Sequence, residues 1–286
     1  MEYVTLGSTA REVSRLGFGG ATAGLRNYLR EFDPDKPEDR KPVVAAIRRA
    51  RELGVNYFDT AAGYGDGASE RIFGEALQDE DPEDIFLASK AGVWKPEGVR
   101  ASLEQSLENL RRDWIDLLQV HGTVYHDEHV EAVLRDGGML DRMEQMREEG
   151  LIKHIGFTVE AQNKQLYQLL ETGRFDVMQV CYNFIFQHPY DPSWQSGSLY
   201  DAEALGMGIV AMRSTTCGTF QKWVQAVNPE NTHDYTPDLI QFEFSNPLVD
   251  VALVGMSSPE RVEQNVALCE DKTGRVDLED MHERYV

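Results

Sequence analysis

Short apolar, β-branched runs alternate with longer amphipathic stretches from one end of the chain to the other, and nothing else in the sequence constrains the fold as tightly. A strand-length run followed by a helix-length segment, many times over, calls for βα units and a parallel sheet. Strands are expected at 15–18, 57–58 with Val55 leading in, 85–88, 115–120, 154–157, 177–180, 208–212 and 251–254. Helices are expected at 42–53, 69–77, 97–110, 129–149, 161–171, 197–205, 237–244 and 259–269. Ser69 before Glu70, and Ser258-Pro259-Glu260, are helix-start signals, while Gly54 and Gly206 fall where a left-handed terminating residue is wanted. Eight strands, each followed by a helix, fit a closed (β/α)8 TIM barrel better than an open doubly wound sheet, with any active site at the carboxyl-terminal mouth of the strands. At 286 residues the chain is expected to be a single barrel domain spanning 1–286.

Composition narrows the function. Lysine and arginine total 28 against 49 acidic residues, a net charge of −21, and such a surface repels phosphate backbones, so general nucleic-acid binding is excluded. The opening residues have neither a basic nor an apolar leader region, and no apolar run approaches the ~20 residues needed to cross a bilayer, so a cytoplasmic protein without membrane contact is expected. Cys181, Cys217 and Cys269 lie far apart without C-x-x-C spacing and read as buried apolar residues rather than a disulfide framework or zinc site. Only 8 of the basic residues are lysine, and the acids are dispersed, the pattern a salt-rich cytoplasm favours; an ordinary acidic enzyme is the alternative.

Three successive expected strands end in chemically capable residues. Asp59 leaves the second strand with Tyr64 in the loop after it, Lys90 ends the third, and His121 follows the fourth. Buried together after apolar runs, these groups need one another as partners. A phenol is a poor proton donor at neutral pH until a nearby ammonium lowers its pKa, and a carboxylate keeps that ammonium charged. A tyrosine so tuned can protonate a carbonyl oxygen while hydride arrives at carbon. The remaining histidines have no mutual metal-ligand spacing, and no metal is expected.

The segment Phe58-Asp59-Thr60-Ala61-Ala62-Gly63-Tyr64-Gly65-Asp66-Gly67-Ala68-Ser69-Glu70-Arg71-Ile72-Phe73-Gly74-Glu75-Ala76-Leu77 resembles the signature of the aldo-keto reductases, and the likeness extends from Leu16-Gly17-Phe18-Gly19-Gly20 to Val262-Glu263-Gln264-Asn265. The resemblance implies an oxidoreductase using NAD(P) and no metal, with Tyr64 as general acid/base, Lys90 and Asp59 tuning it, and His121 orienting the substrate carbonyl. Its partner would be a small carbonyl or alcohol (aldehyde, ketone or sugar), the protein itself being a monomer or weak homo-oligomer.

The same resemblance distributes the cofactor contacts. Gly20, Ala21 and Asp59 fall on the cofactor side of the mouth, and Gln179 matches the glutamine on the nicotinamide carboxamide. The usual Ser-Asn pair is here Thr158-Val159, in which only Thr158 can hydrogen-bond. Met212 or the stem of Arg213 would cover the nicotinamide face, with Ser214 and Thr215 meeting the pyrophosphate through hydroxyls and amides; alternatively Arg213 pairs with a carboxylate. Gly255, Ser257, Arg261, Gln264 and Asn265 resemble the adenosine-phosphate segment at the start of the last barrel helix, and Arg261 there favours NADP(H) over NAD(H) unless it pairs with Glu260 or Glu263. Trp94 and Tyr125 are expected to wall a rather open substrate pocket. Two rival functions stay in view, a cofactor-binding regulatory barrel with little turnover and a lyase using Lys90 as a Schiff base.

Overall fold

The computed structural model describes residues 1–92 and 96–285. Eight parallel strands close into a barrel: β1 (Leu16–Gly19), β2 (Tyr57–Asp59), β3 (Phe86–Ala91), β4 (Ile115–Val120), β5 (Ile152–Val159), β6 (Val177–Cys181), β7 (Gly208–Met212) and β8 (Val251–Val254), the last pairing back onto β1. All are strands anticipated from the sequence.

Alternation along each strand decides what the barrel encloses. Tyr57, Phe86, Ala88, Leu117, Val177, Val210 and Val251 form an apolar inner tier, in which the Tyr57 and Phe86 rings stack with centroids 5.1 Å apart. Their neighbours, such as Phe58, Leu87, Leu118, Met178 and Ala211, face outward into a second core beneath the helices. Two residues further along the same strands the inward positions are Asp59, Lys90, Gln119, Gln179 and Met212, so the upper tier of the same barrel is polar.

An antiparallel hairpin, Tyr3–Thr5 with Glu12–Ser14, closes the opposite end and drops Leu6 into the inner tier. A Cβ on Gly208 would come 2.6 Å from the Leu6 side chain, so the first residue of β7 has to be small. These strands of three residues are too short to carry a periodic signal, and the sequence reading passes over them.

The outer helices follow the expected order with local differences. The stretch 129–149 is two helices, Asp127–Leu134 and Met139–Glu148, parted where Gly137 takes a φ of +66°. The first barrel helix begins at Pro37 and carries Pro42 within it. Helices Thr219–Val227 and Leu278–Tyr285 lie in stretches read as loop and tail. Glu243, in helix Thr236–Ser245, is fully buried beneath Ser214, the one side chain that eases its desolvation. No helix among those residues is long and apolar enough to cross a membrane.

Candidate active site

A cleft of about 340 Å³ opens at the carboxyl-terminal ends of the strands, and Asp59, Tyr64, Lys90 and His121 all reach it. Lys90 Nζ donates to Asp59 Oδ2 at 2.6 Å and to the Thr60 carbonyl at 2.7 Å, with both charged side chains at most 3% exposed. The ammonium lies 5.0 Å from the centroid of the Tyr64 ring. His121 stands edge-on to that ring, with centroids 5.5 Å apart and planes at 84°.

The loop carrying Tyr64 is held from below. Ser69 donates to the Gly20 carbonyl at 2.9 Å and accepts from Thr60 at 2.8 Å, while Glu70, fully buried, accepts from Ser89 at 2.6 Å and Asn109 at 3.0 Å. Residues read only as a helix start thus pin the loop to β1 and β3.

Burial works against the charge on Lys90, but Asp59 and Tyr64 more than offset it and its pKa is raised. The ammonium is therefore permanent at working pH. For Asp59, burial pushes upward against Lys90 and the amides of Gln119 and Gln179. Burial also pushes the Tyr64 hydroxyl above the ordinary tyrosine value, with Lys90 opposing. The lowering expected from the sequence is thus outweighed by desolvation, and Tyr64 rests as the proton-bearing phenol. Burial, helped by Lys90, depresses His121 to about 4, so its imidazole is neutral at pH 7.

On the cofactor side Gly20, Ala21, Thr158, Gln179, Met212, Arg213, Ser214, Thr215 and Gly255 line the same cleft. Thr158 Oγ1 donates to the Gly122 carbonyl at 2.6 Å and accepts from the Gly122 amide at 2.9 Å, so its proton is committed to the loop after β4. Val159 is fully buried. The hydroxyl of Ser214 is not offered to the cleft as expected: it donates to the Leu253 carbonyl at 2.7 Å. Arg213, at a left-handed φ of +64°, pairs with Glu160 at 2.7 Å and contacts Cys217 Sγ at 3.4 Å, the alternative its sequence reading left open.

Thr215 and Gly255 continue into an adjoining pocket of about 150 Å³ that Arg261 and Asn265 also line. Asn265 is 1% exposed, and its Nδ2 has no partner among the described residues, a buried donor that a ligand in this pocket would satisfy. Neither of the two carboxylates that were to compete for Arg261 does so: Glu263 pairs with Arg49 at 2.9 Å and Glu260 forms no ion pair among the described residues. Arg261, itself without an ion pair there, acts on Asp234 and joins the hydrogen bonds from Thr236 in lowering its pKa. Ser258 caps the helix, as its start signal indicated, by accepting from the Arg261 amide at 3.4 Å. Ser257 is half-buried and Gln264 exposed, and neither borders the two pockets.

Of the residues expected to wall the substrate pocket, Trp94 lies outside the described residues. Tyr125 turns away from the cleft: it is 0% exposed, edge-on to Phe157 at 6.4 Å, with its hydroxyl donating to the Val120 carbonyl at 3.3 Å. Among the described residues no group of three or more His, Cys, Asp or Glu is placed to hold a metal ion.

Residues 15–283 match the family model described as the aldo/keto reductase family. The chain belongs to the aldo/keto reductase family. As such it is an NAD(P)-dependent oxidoreductase of the carbonyl/alcohol pair. It is 26% identical to L-galactose dehydrogenase of Arabidopsis thaliana, over 93% of this chain and 88% of that one. It is 25% identical to D-threo-aldose 1-dehydrogenase of a Pseudomonas species, over 88% of each. The fold matches that of an aldo/keto reductase from Klebsiella pneumoniae solved with NADP and acetate, at a TM-score of 0.75 and 19% identity over 99% of this chain and 94% of that one.

In this aldo/keto reductase the cleft also contains Tyr28, Thr123 and Glu160, none of which the sequence reading singled out, and Cys217, which was read as buried but is half-buried at the cleft wall. They come from loops, where no period indicates direction. Gln119 is different, because an amide in the middle of the buried run Ile115-Asp116-Leu117-Leu118-Gln119-Val120 was visible as an anomaly.

Proposed function

We propose that residues 1–286 work as one barrel domain that interconverts the carbonyl and alcohol of a small hydroxylated substrate, an aldose or its oxidised product, with Tyr64 moving the proton. The observation that carries this is the buried Lys90–Asp59 pair at 2.6 Å beside Tyr64, with neutral His121 edge-on to the same ring. In the reducing direction the Tyr64 hydroxyl gives its proton to the carbonyl oxygen, and the Lys90 ammonium stabilises the phenolate left behind. The neutral imidazole of His121 has one N–H to direct at that oxygen, which fixes the carbonyl between two donors. In the oxidising direction the phenolate takes the proton back. Bound nicotinamide supplies the hydride, or accepts it. Names of two relatives support a sugar substrate, as does the polar rim formed by Glu160 and Arg213.

NADP(H) is the preferred dinucleotide in this reading. Arg261 is a guanidinium without an ion pair among the described residues, beside the buried donor of Asn265 and a helix amino terminus capped by Ser258, a chemistry suited to a 2′-phosphate. The test is a panel of aldoses, simple aldehydes, ketones and alcohols followed at the reduced-nicotinamide absorbance with each dinucleotide. Turnover of aldoses with NADP(H) is expected; turnover confined to apolar carbonyls would overturn the substrate assignment.

A further inference from the structure

We propose that Gln119 is a positioning residue, whose amide transmits the charge of Asp59 to Gln179 and so fixes which end of the Gln179 amide faces the cleft. The inference rests on the reading above, in which Gln179 meets the nicotinamide carboxamide and Asp59 holds Lys90.

Gln119 is 0% exposed and projects into the barrel between the apolar tier and the cleft. Opposite it on β5 stands Gly156, where a Cβ would come 3.2 Å from Gln119 Cγ and 2.8 Å from the Val177 carbonyl, so the amide crosses the interior over a residue without a side chain. Gln119 Nε2 carries two hydrogens and has two acceptors, Asp59 Oδ1 at 3.3 Å and Gln179 Oε1 at 3.0 Å.

Nitrogen and oxygen of an amide are alike in shape, so their order must come from the partners. Asp59, ionised against Lys90, can only accept. The nitrogen end of Gln119 therefore faces Asp59, and its second hydrogen requires an acceptor, which Gln179 can meet only with Oε1. The Gln179 nitrogen is left on the Met212 side, 3.7 Å from Sδ, where the cleft begins. A donor is thus presented to the cofactor because Asp59, which the Gln179 amide also meets directly, is charged and accepts the Gln119 nitrogen. Gln119 Oε1 has no partner among the described residues, a cost that an apolar side chain of the same length would not incur.

The experiment is a double-mutant cycle on NADPH dissociation constants, measured by fluorescence titration for the parent, Gln119→Met, Gln179→Met and the double variant. Each single substitution is expected to weaken binding roughly tenfold, about what one oriented hydrogen bond is worth, and the double variant to bind no more weakly than Gln179→Met alone. Parent-like affinity in Gln119→Met beside a weakened Gln179→Met, or losses that multiply in the double variant, overturns the relay and leaves the carboxamide contact standing. A silent Gln179→Met overturns both. Should Gln119→Met fail to fold, neutron diffraction from deuterium-exchanged crystals of the parent decides the matter. Deuterons are expected on the Gln119 atom facing Asp59 and on the Gln179 atom facing the cleft; deuterons on the Gln179 atom facing Gln119 overturn the proposal.

Discussion

Arg213 and Glu160 meet at 2.7 Å at the edge of the cleft, tying the end of β7 to the end of β5. Their side chains are 37% and 28% exposed, so solvent screens the pair and its contribution to folding is small. Its effect on an incoming polyanion is larger, because Glu160 offsets the positive charge of Arg213 beside the cleft. Glu160→Gln is expected to tighten NADPH binding by about threefold in dilute buffer, with the gain fading toward 1 M salt. Titrations at two ionic strengths check it; unchanged or weaker binding in dilute buffer counts against this role.

Removing the phenolic oxygen isolates the proton step. Tyr64→Phe is expected to lower turnover by on the order of 10² or more while NADPH still binds, since the ring persists and only the donor is lost. Turnover within about threefold of the parent, on a substrate whose chemistry limits the rate, would remove Tyr64 from the mechanism.

Arg261→Ala is expected to cut the preference for NADPH over NADH by about ten- to a hundredfold, the worth of one desolvated contact to a phosphate. Paired dissociation constants give the ratio directly. A ratio that stays put assigns the 2′-phosphate to other groups.

Glu243 supplies a pH signature of stability. Burial raises its pKa well above the ordinary carboxylate value, so the folded chain holds this proton at pH values where the unfolded chain has released it. The stabilisation is therefore complete below about pH 4.5 and declines as pH rises toward the folded pKa. Glu243→Gln, which cannot ionise, is expected to lose less melting temperature than the parent between pH 5 and pH 8. Parallel curves for the two proteins would show that Glu243 does not titrate in this range.

The charge balance makes a separate prediction. With a net charge of −21 and 8 lysines, the melting temperature is expected to climb as KCl rises into the molar range. A flat or falling series returns the protein to the class of ordinary acidic enzymes.

What was legible in the sequence follows from where a repeating pattern exists. Asp59 and Lys90 sit two residues beyond the inward Tyr57 and Ala88, so strand alternation alone sends them into the barrel mouth. Tyr125 and Ser214 lie in loops, where the direction of a side chain is decided by tertiary partners, Phe157 for one and the Leu253 carbonyl for the other. The break between Leu134 and Met139 depended on Gly137 taking a left-handed turn, which a long amphipathic stretch conceals.

The stacking of Tyr57 on Phe86 has a consequence for anyone redesigning this enzyme. Those rings stand on the same strands as Asp59 and Lys90, two and four residues before them, with nothing flexible between. Precision in the ion pair is inherited from the hydrophobic floor beneath it, so a repacked floor would be felt as a mis-set proton donor before it was felt as a loss of folding. New specificity is better sought in the loops above, where side chains can be exchanged without retuning the instrument that does the chemistry.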